Sequence, residues 1–263
     1  MDEPLFRFFP GTRRDLLVLC DHAGNHVPAE YADLGLSAAE LARHIAWDPG
    51  AGGVAQALAR CLECPLLLGV NSRLLVDLNR AHDDATLILA ESDNTFVPGN
   101  LTISDAERAS RVARFHAPYH ARIDAHLDGL NAHGVRPTLI AVHSFTPVMA
   151  GIARPWQVGV LWKLAREPVA AVIDWLAADG WRVGDNQPYD GRSAMGWTLD
   201  HHAIGRGLPH VMFELRQDLL DDPAAQVAWG ERLARALRES HVITDAGRSS
   251  AGRPTLRSGP IGR

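Results

Sequence analysis

The run Leu16-Leu17-Val18-Leu19-Cys20-Asp21-His22-Ala23-Gly24-Asn25 decides how this chain is read. An apolar stretch stops abruptly in a polar turn, the pattern of a buried parallel strand that delivers side chains to a site at its carboxyl end. Two later runs end the same way: Thr138-Leu139-Ile140-Ala141-Val142-His143-Ser144 and His210-Val211-Met212-Phe213-Glu214-Leu215-Arg216. If the three strands share one sheet, His22, His143 and Glu214 can converge. Two imidazoles and a carboxylate are the components of a metal site with a general base.

Helical signals separate these strands. Ser37 with Glu40 forms a capping box that opens a short helix from Ala38 towards Ala46. Asp48-Pro49 reads as an N-cap followed by proline in the first turn of a helix reaching Leu62. Leu66 to Val70 is a second strand, and Leu74 to Leu78 reads as another extended segment. From Arg80 to Asn100 turn-forming residues predict a long loop near the active face. Ser104 with Glu107 opens a helix that runs to Ala132, kinks at Pro118 and ends at Gly134. It carries His116 and His120 on one face, but the glutamate that a helical zinc motif requires after the first histidine is replaced by Ala117, so this face reads as a packed or pocket-facing surface. Gln157 to Lys163 is a strand, Glu167-Pro168 opens a helix that closes at Asp179-Gly180, and a short strand follows around Trp181 to Val183. Gly184 to Gly207 predicts a second loop at the active face, and Pro223 starts a last helix that reaches Ser240.

This alternation predicts an α/β fold of three layers, a mostly parallel mixed sheet with helices on both faces. Residues 1–245 are expected to form one domain. Residues 246–263 are Gly, Ser, Arg and Pro with little apolar content, which predicts a disordered tail.

Of the 263 residues, Asp and Glu outnumber Lys and Arg to leave a formal net charge of -5, so no broad basic field exists to attract nucleic acid or an anionic membrane. A small anionic substrate would instead need locally placed arginines. No transmembrane stretch or export signal is legible, and the three cysteines do not form a disulfide framework. Cys61-Leu62-Glu63-Cys64 closes a helix where a redox pair would open one, and reads as two packed thiols. These features predict a cytoplasmic protein.

Four strings then carry a resemblance. Cys20-Asp21-His22-Ala23-Gly24-Asn25 with Val27-Pro28, Ser72-Arg73-Leu74-Leu75-Val76-Asp77-Leu78-Asn79-Arg80, His143-Ser144-Phe145, and Glu214-Leu215-Arg216-Gln217-Asp218 resemble, in order, the N-formylglutamate amidohydrolase family. The resemblance implies a zinc-exopeptidase (phosphorylase/hydrolase-like) fold, one zinc ion, and hydrolysis of N-formyl-L-glutamate to formate and glutamate at the end of histidine degradation. A wider likeness to metallocarboxypeptidases and aspartoacylases implies metal ligands at His22 and His143, substrate contacts at Arg73, Asn79 and Arg80, and a base at Glu214. Arg73 would also stabilise the oxyanion. Those enzymes carry a metal-binding glutamate three residues after the first histidine, where this chain has Asn25, a neutral and poorer ligand. Asp48 could supply the missing carboxylate, or be a plain helix cap.

Glu214 is either the catalytic base or, through Arg216 on the same strand face, half of a salt bridge. Three functions remain open: the formylglutamate hydrolase, an amidase for a different N-acyl or cell-wall amide, and a metal-free binding protein of the same fold.

Overall fold

The computed structural model describes residues 5–193 and 196–243, so the expected C-terminal tail lies outside the described residues. Strand Leu16–Cys20 is buried along its whole length within a seven-stranded sheet. The sheet order is Phe6–Phe9, Leu66–Gly69, Leu16–Cys20, Thr138–Phe145, His210–Arg216, Val158–Leu161 and Val183–Asp185. Its neighbours pair in parallel, except Phe6–Phe9 against Leu66–Gly69 and Val158–Leu161 against His210–Arg216. The α/β fold is therefore a mostly parallel mixed sheet.

Strand side chains alternate between faces, which splits the core in two. Leu16, Val18 and Cys20 join Val54 and Leu58 of helix Ala51–Leu62, Val172 of helix Glu167–Ala178 and Leu233 of helix Pro223–Glu239. Leu17 and Leu19 point the other way, onto Tyr119, Ile123 and Leu127 of helix Ala117–Asn131. Each buried leucine contributes about 1.5–3 kcal/mol, so a one-residue slip that exchanged the faces would be heavily penalised. Gly230 brings helix Pro223–Glu239 close to its neighbour: a Cβ there would stand 2.4 Å from that of Ala57.

Several local expectations are corrected. Leu74 to Leu78 is turn and irregular chain, not a strand; Leu74, Leu75 and Val76 are apolar because they enter a third cluster with Ile45, Leu87, Val97 and Phe115 beneath the active-face loops. The helix opened at Ala38 ends at Leu41. Phe6–Phe9 adds an unforeseen edge strand, and the short strand expected at 181–183 is Val183–Asp185. The long helix is broken into Asp105–Arg111, a π turn at Val112–His116 and Ala117–Asn131. Pro118 lacks the N–H that would bond the carbonyl of Arg114, and the widened turn lies there. Among the described residues no helix is long and apolar enough to cross a membrane.

Candidate active site

The three decisive strands lie side by side, and the register sets Glu214 directly opposite His143. His22 follows the end of strand Leu16–Cys20 by two residues. Backbone bonds then gather the rest: Asp48 N–H donates to the His22 carbonyl, Ser72 N–H to His26 and Arg73 N–H to Ala46. Residues distant in sequence thus become one floor.

Asp48 is the hub of that floor. Its Oδ2 lies 2.8 Å from His143 Nδ1 and 3.5 Å from His22 Nδ1. Its Oδ1 accepts from Arg73 Nη2. The helix that Asp48-Pro49 was expected to cap starts at Ala51 behind Gly50, with no side-chain cap, so the aspartate is free of that duty. Asp48, His22 and His143 each offer one ligand atom, all within 4.8 Å of one another, and all three residues are buried.

An outer carboxylate stands behind each histidine. Asp77 Oδ1 lies 2.7 Å from His22 Nε2, and Asp21 Oδ2 lies 3.5 Å from His143 Nε2. Tyr119 donates to the other oxygen of Asp21 at 2.7 Å. Burial works against both carboxylates, but His22 with Arg73 and Arg80 outweighs it at Asp77, and His143, His22 and Tyr119 hold Asp21 down to about 2. Burial, assisted by Arg73, lowers His22 to about 4 over the opposing pull of Asp77. A neutral imidazole beside an ionised Asp77 must place its proton on Nε2, leaving the Nδ1 lone pair turned towards Asp48. That Nδ1 has no partner. The donor set therefore fits a divalent ion of the zinc class: two imidazoles, a shared carboxylate and, behind His22, an outer carboxylate that fixes the ring.

Glu214 is buried, its Oε2 has no partner, and burial raises its pKa against the pull of His143, Arg73 and His22. The salt-bridge alternative is not what forms, because Arg216 is bound by Asp218 and by the carbonyls of Arg154, Pro155 and Trp156. A cavity of about 200 Å³ opens over Asp48, Arg73 and Asp77, with Arg80, Arg154 and Tyr189 on its walls. Glu214 does not line this cavity itself. Larger clefts of about 370 and 480 Å³ lie elsewhere and lack Asp48, Arg73 and Asp77.

Two expected site residues are placed differently. Asn25 gives its amide N–H to the Leu41 carbonyl and lines another cleft, outside the His22, Asp48 and His143 group. Asn79 spends its Oδ1 on the Thr198 N–H and its own N–H on Asp77, so it ties loops together and does not line the cavity. Arg80 lines the cavity while bonded to Thr86. His116 and His120 bond the Arg80 and Leu78 carbonyls, as suits a packed surface. Asp21, Asp77, Arg154 and Tyr189 have no role legible in the sequence. The two aspartates stood inside the quoted strings, whereas Arg154, which donates to the Tyr189 hydroxyl at 3.2 Å, carried no local signal.

Comparison with known proteins gives a family and a fold. Residues 14–220 match the model of the family described as N-formylglutamate amidohydrolase. A crystal structure of an Agrobacterium tumefaciens gene product superposes with a TM-score of 0.83 at 32% identity, over 88% of this chain and 94% of that one. An N-formylglutamate amidohydrolase from Ralstonia eutropha superposes with a TM-score of 0.68 at 20% identity, over 90% and 97% of the two chains, a likeness of fold. No curated protein is significantly similar.

Proposed function

The chain belongs to the N-formylglutamate amidohydrolase family, and from that premise we propose that it cleaves the N-formyl amide of N-formyl-L-glutamate or a close N-acyl amino acid, with one zinc ion held by His22, His143 and Asp48. The observation that carries this reading is the Asp48 oxygen shared between His22 Nδ1 and His143 Nδ1. When bound, the ion supplies a Lewis acid that acidifies water and polarises the amide carbonyl.

The chain's own residues do the rest. Asp77 holds the His22 imidazole in orientation, and Asp21, bonded by Tyr119, stands behind His143. Glu214, whose burial raises its proton affinity, takes a proton from the attacking water and passes it to the departing nitrogen. Arg73, whose Nε is buried without a partner, donates to the oxygen on which charge develops. Arg80 and Arg154, the latter steadied by Tyr189, bind substrate carboxylates as guanidinium forks. A substrate with two carboxylates uses both. Such a reaction would close histidine degradation in the cytoplasm.

A metal-free binding protein is the second reading, favoured by the Arg73 guanidinium that already neutralises Asp48. Formate release from N-formyl-L-glutamate, set against a panel of N-acyl amino acids and a cell-wall amide, tests the proposal. Turnover fastest on N-formyl-L-glutamate supports it, and binding without turnover of any substrate would favour the binder.

A further inference from the structure

On the face of the sheet that carries helix Ala117–Asn131, a chain of histidines leads from a backbone carbonyl to a carboxylate. His120 Nε2 lies 2.8 Å from the Leu78 carbonyl, and His120 Nδ1 lies 2.8 Å from His202 Nε2. A carbonyl only accepts, so His120 carries its proton on Nε2, and its Nδ1 is a bare acceptor. His202 must then donate from Nε2. This fixes the tautomer of His202 and leaves the lone pair of its Nδ1 facing Asp124 Oδ1 at 3.1 Å. His202 is fully buried, and that Nδ1 has no hydrogen-bond partner.

A lone pair aimed at a carboxylate oxygen is repulsive unless something positive lies between them. A metal ion would serve, and a third donor is at hand. His201 is exposed, stacks on Trp197, and brings a ring nitrogen within 4.8 Å of the other two donor atoms.

We propose that Asp124, His201 and His202 form a second site for a divalent transition-metal ion of the zinc class, separate from the one at His22. Two imidazoles and a carboxylate are borderline-soft donors that suit zinc. Tetrahedral zinc ligands stand roughly 3.3 Å apart, which the exposed His201 ring reaches by rotating towards Asp124. Arg206 donates to Asp124 Oδ1 at 2.6 Å and to Asp128 at 2.6 Å. It steadies the carboxylate beside the ion. His120 fixes His202 as Asp77 fixes His22. The ion would clamp helix Ala117–Asn131 to the turn Asp200–Ile204, next to Trp197 and Thr198, whose backbone N–H groups bond Asn79.

Zinc bound per chain, measured by elemental analysis after equilibration in a buffered zinc solution, tests this on the full-length protein without a histidine tag. His201→Ala is read against the wild type, with Asp124→Asn as a second variant and His22→Ala as the reference for the other site. His201→Ala and Asp124→Asn are each expected to bind one equivalent less than the wild type, their affinity at this site weakened at least about tenfold. His201→Ala should keep its melting temperature in chelator. Equal zinc content in the wild type and His201→Ala would overturn the proposal. Loss of an equivalent in His22→Ala reports only on the active-site ion, so the two sites fail or stand separately.

Discussion

Asp77 Oδ1 lies 2.7 Å from His22 Nε2, and this contact decides which nitrogen of His22 faces Asp48. Asp77 also accepts from the Asn79 backbone, so its carboxylate is held on two sides. Asp77→Asn keeps the shape but loses the charge and can present the wrong hydrogen-bonding group. Zinc affinity, measured by competition with a chelator, is expected to fall about 10–100-fold, the usual cost of losing such an outer partner. Unchanged affinity would remove Asp77 from the site.

Asp48→Asn should lose bound zinc and also destabilise the fold. Asp48 is not a helix cap, so no capping is lost, but the half-buried Arg73 loses its counter-charge. Losing one partner of such a pair costs about 1–3 kcal/mol. Denaturant unfolding of metal-free wild type and variant measures this, and equal stability would mean that Arg73 finds another partner.

Arg154→Ala should raise KM about tenfold or more with kcat little changed, because a carboxylate anchor binds ground state and transition state alike. Steady-state kinetics separate the two, and a loss confined to kcat would move Arg154 into the reaction step.

The histidine cluster makes stability depend on pH. Burial lowers His116 to about 4, His120 to about 3 and His202 to about 4. In the unfolded chain they titrate near an ordinary value of about 6.5. Their contribution is therefore complete above that value and is lost as pH falls towards 4. Between pH 7 and pH 5 each histidine is expected to cost ~2 kcal/mol. Metal-free protein should melt markedly lower at pH 5 than at pH 7, and a flat melting temperature would mean that these rings charge without penalty.

The pattern of residues carried the sheet and part of the site, for physical reasons that differ by position. Leu16 to Cys20 announced itself because a strand buried on both faces must be apolar throughout. His22, His143 and Glu214 were legible because each ends or interrupts such a run. Leu74 to Val76 misled because a short apolar run reports burial, not conformation. Asp48 stayed ambiguous since Asp-Pro suits a helix start, and only the distance to His143 separates the readings. Asp21 and Asp77 act on histidines whose place behind them is set by strand pairing and loop closure, which neighbouring residues do not encode. Arg154 reaches the cavity from beyond the small hairpin Val148–Met149 and Ile152–Ala153, far from any string that marked the site.

Glu214→Gln should retain zinc and reduce kcat by about two to four orders of magnitude, the range for a positioned acid-base group. Because Arg216 pairs with Asp218, no salt bridge is broken, and the neutral amide relieves a buried charge. The melting temperature should hold or rise. Normal turnover in a stably folded variant would deny Glu214 the role of base.

The most direct measurement is formate released from N-formyl-L-glutamate by one preparation of the protein as purified, after exhaustive chelation, and after zinc is returned. Turnover should vanish on chelation and recover with zinc, while His143→Ala stays inactive throughout. Undiminished turnover in the chelated protein, or no formate from the zinc-loaded protein, would contradict a metal-dependent hydrolase at His22, Asp48 and His143.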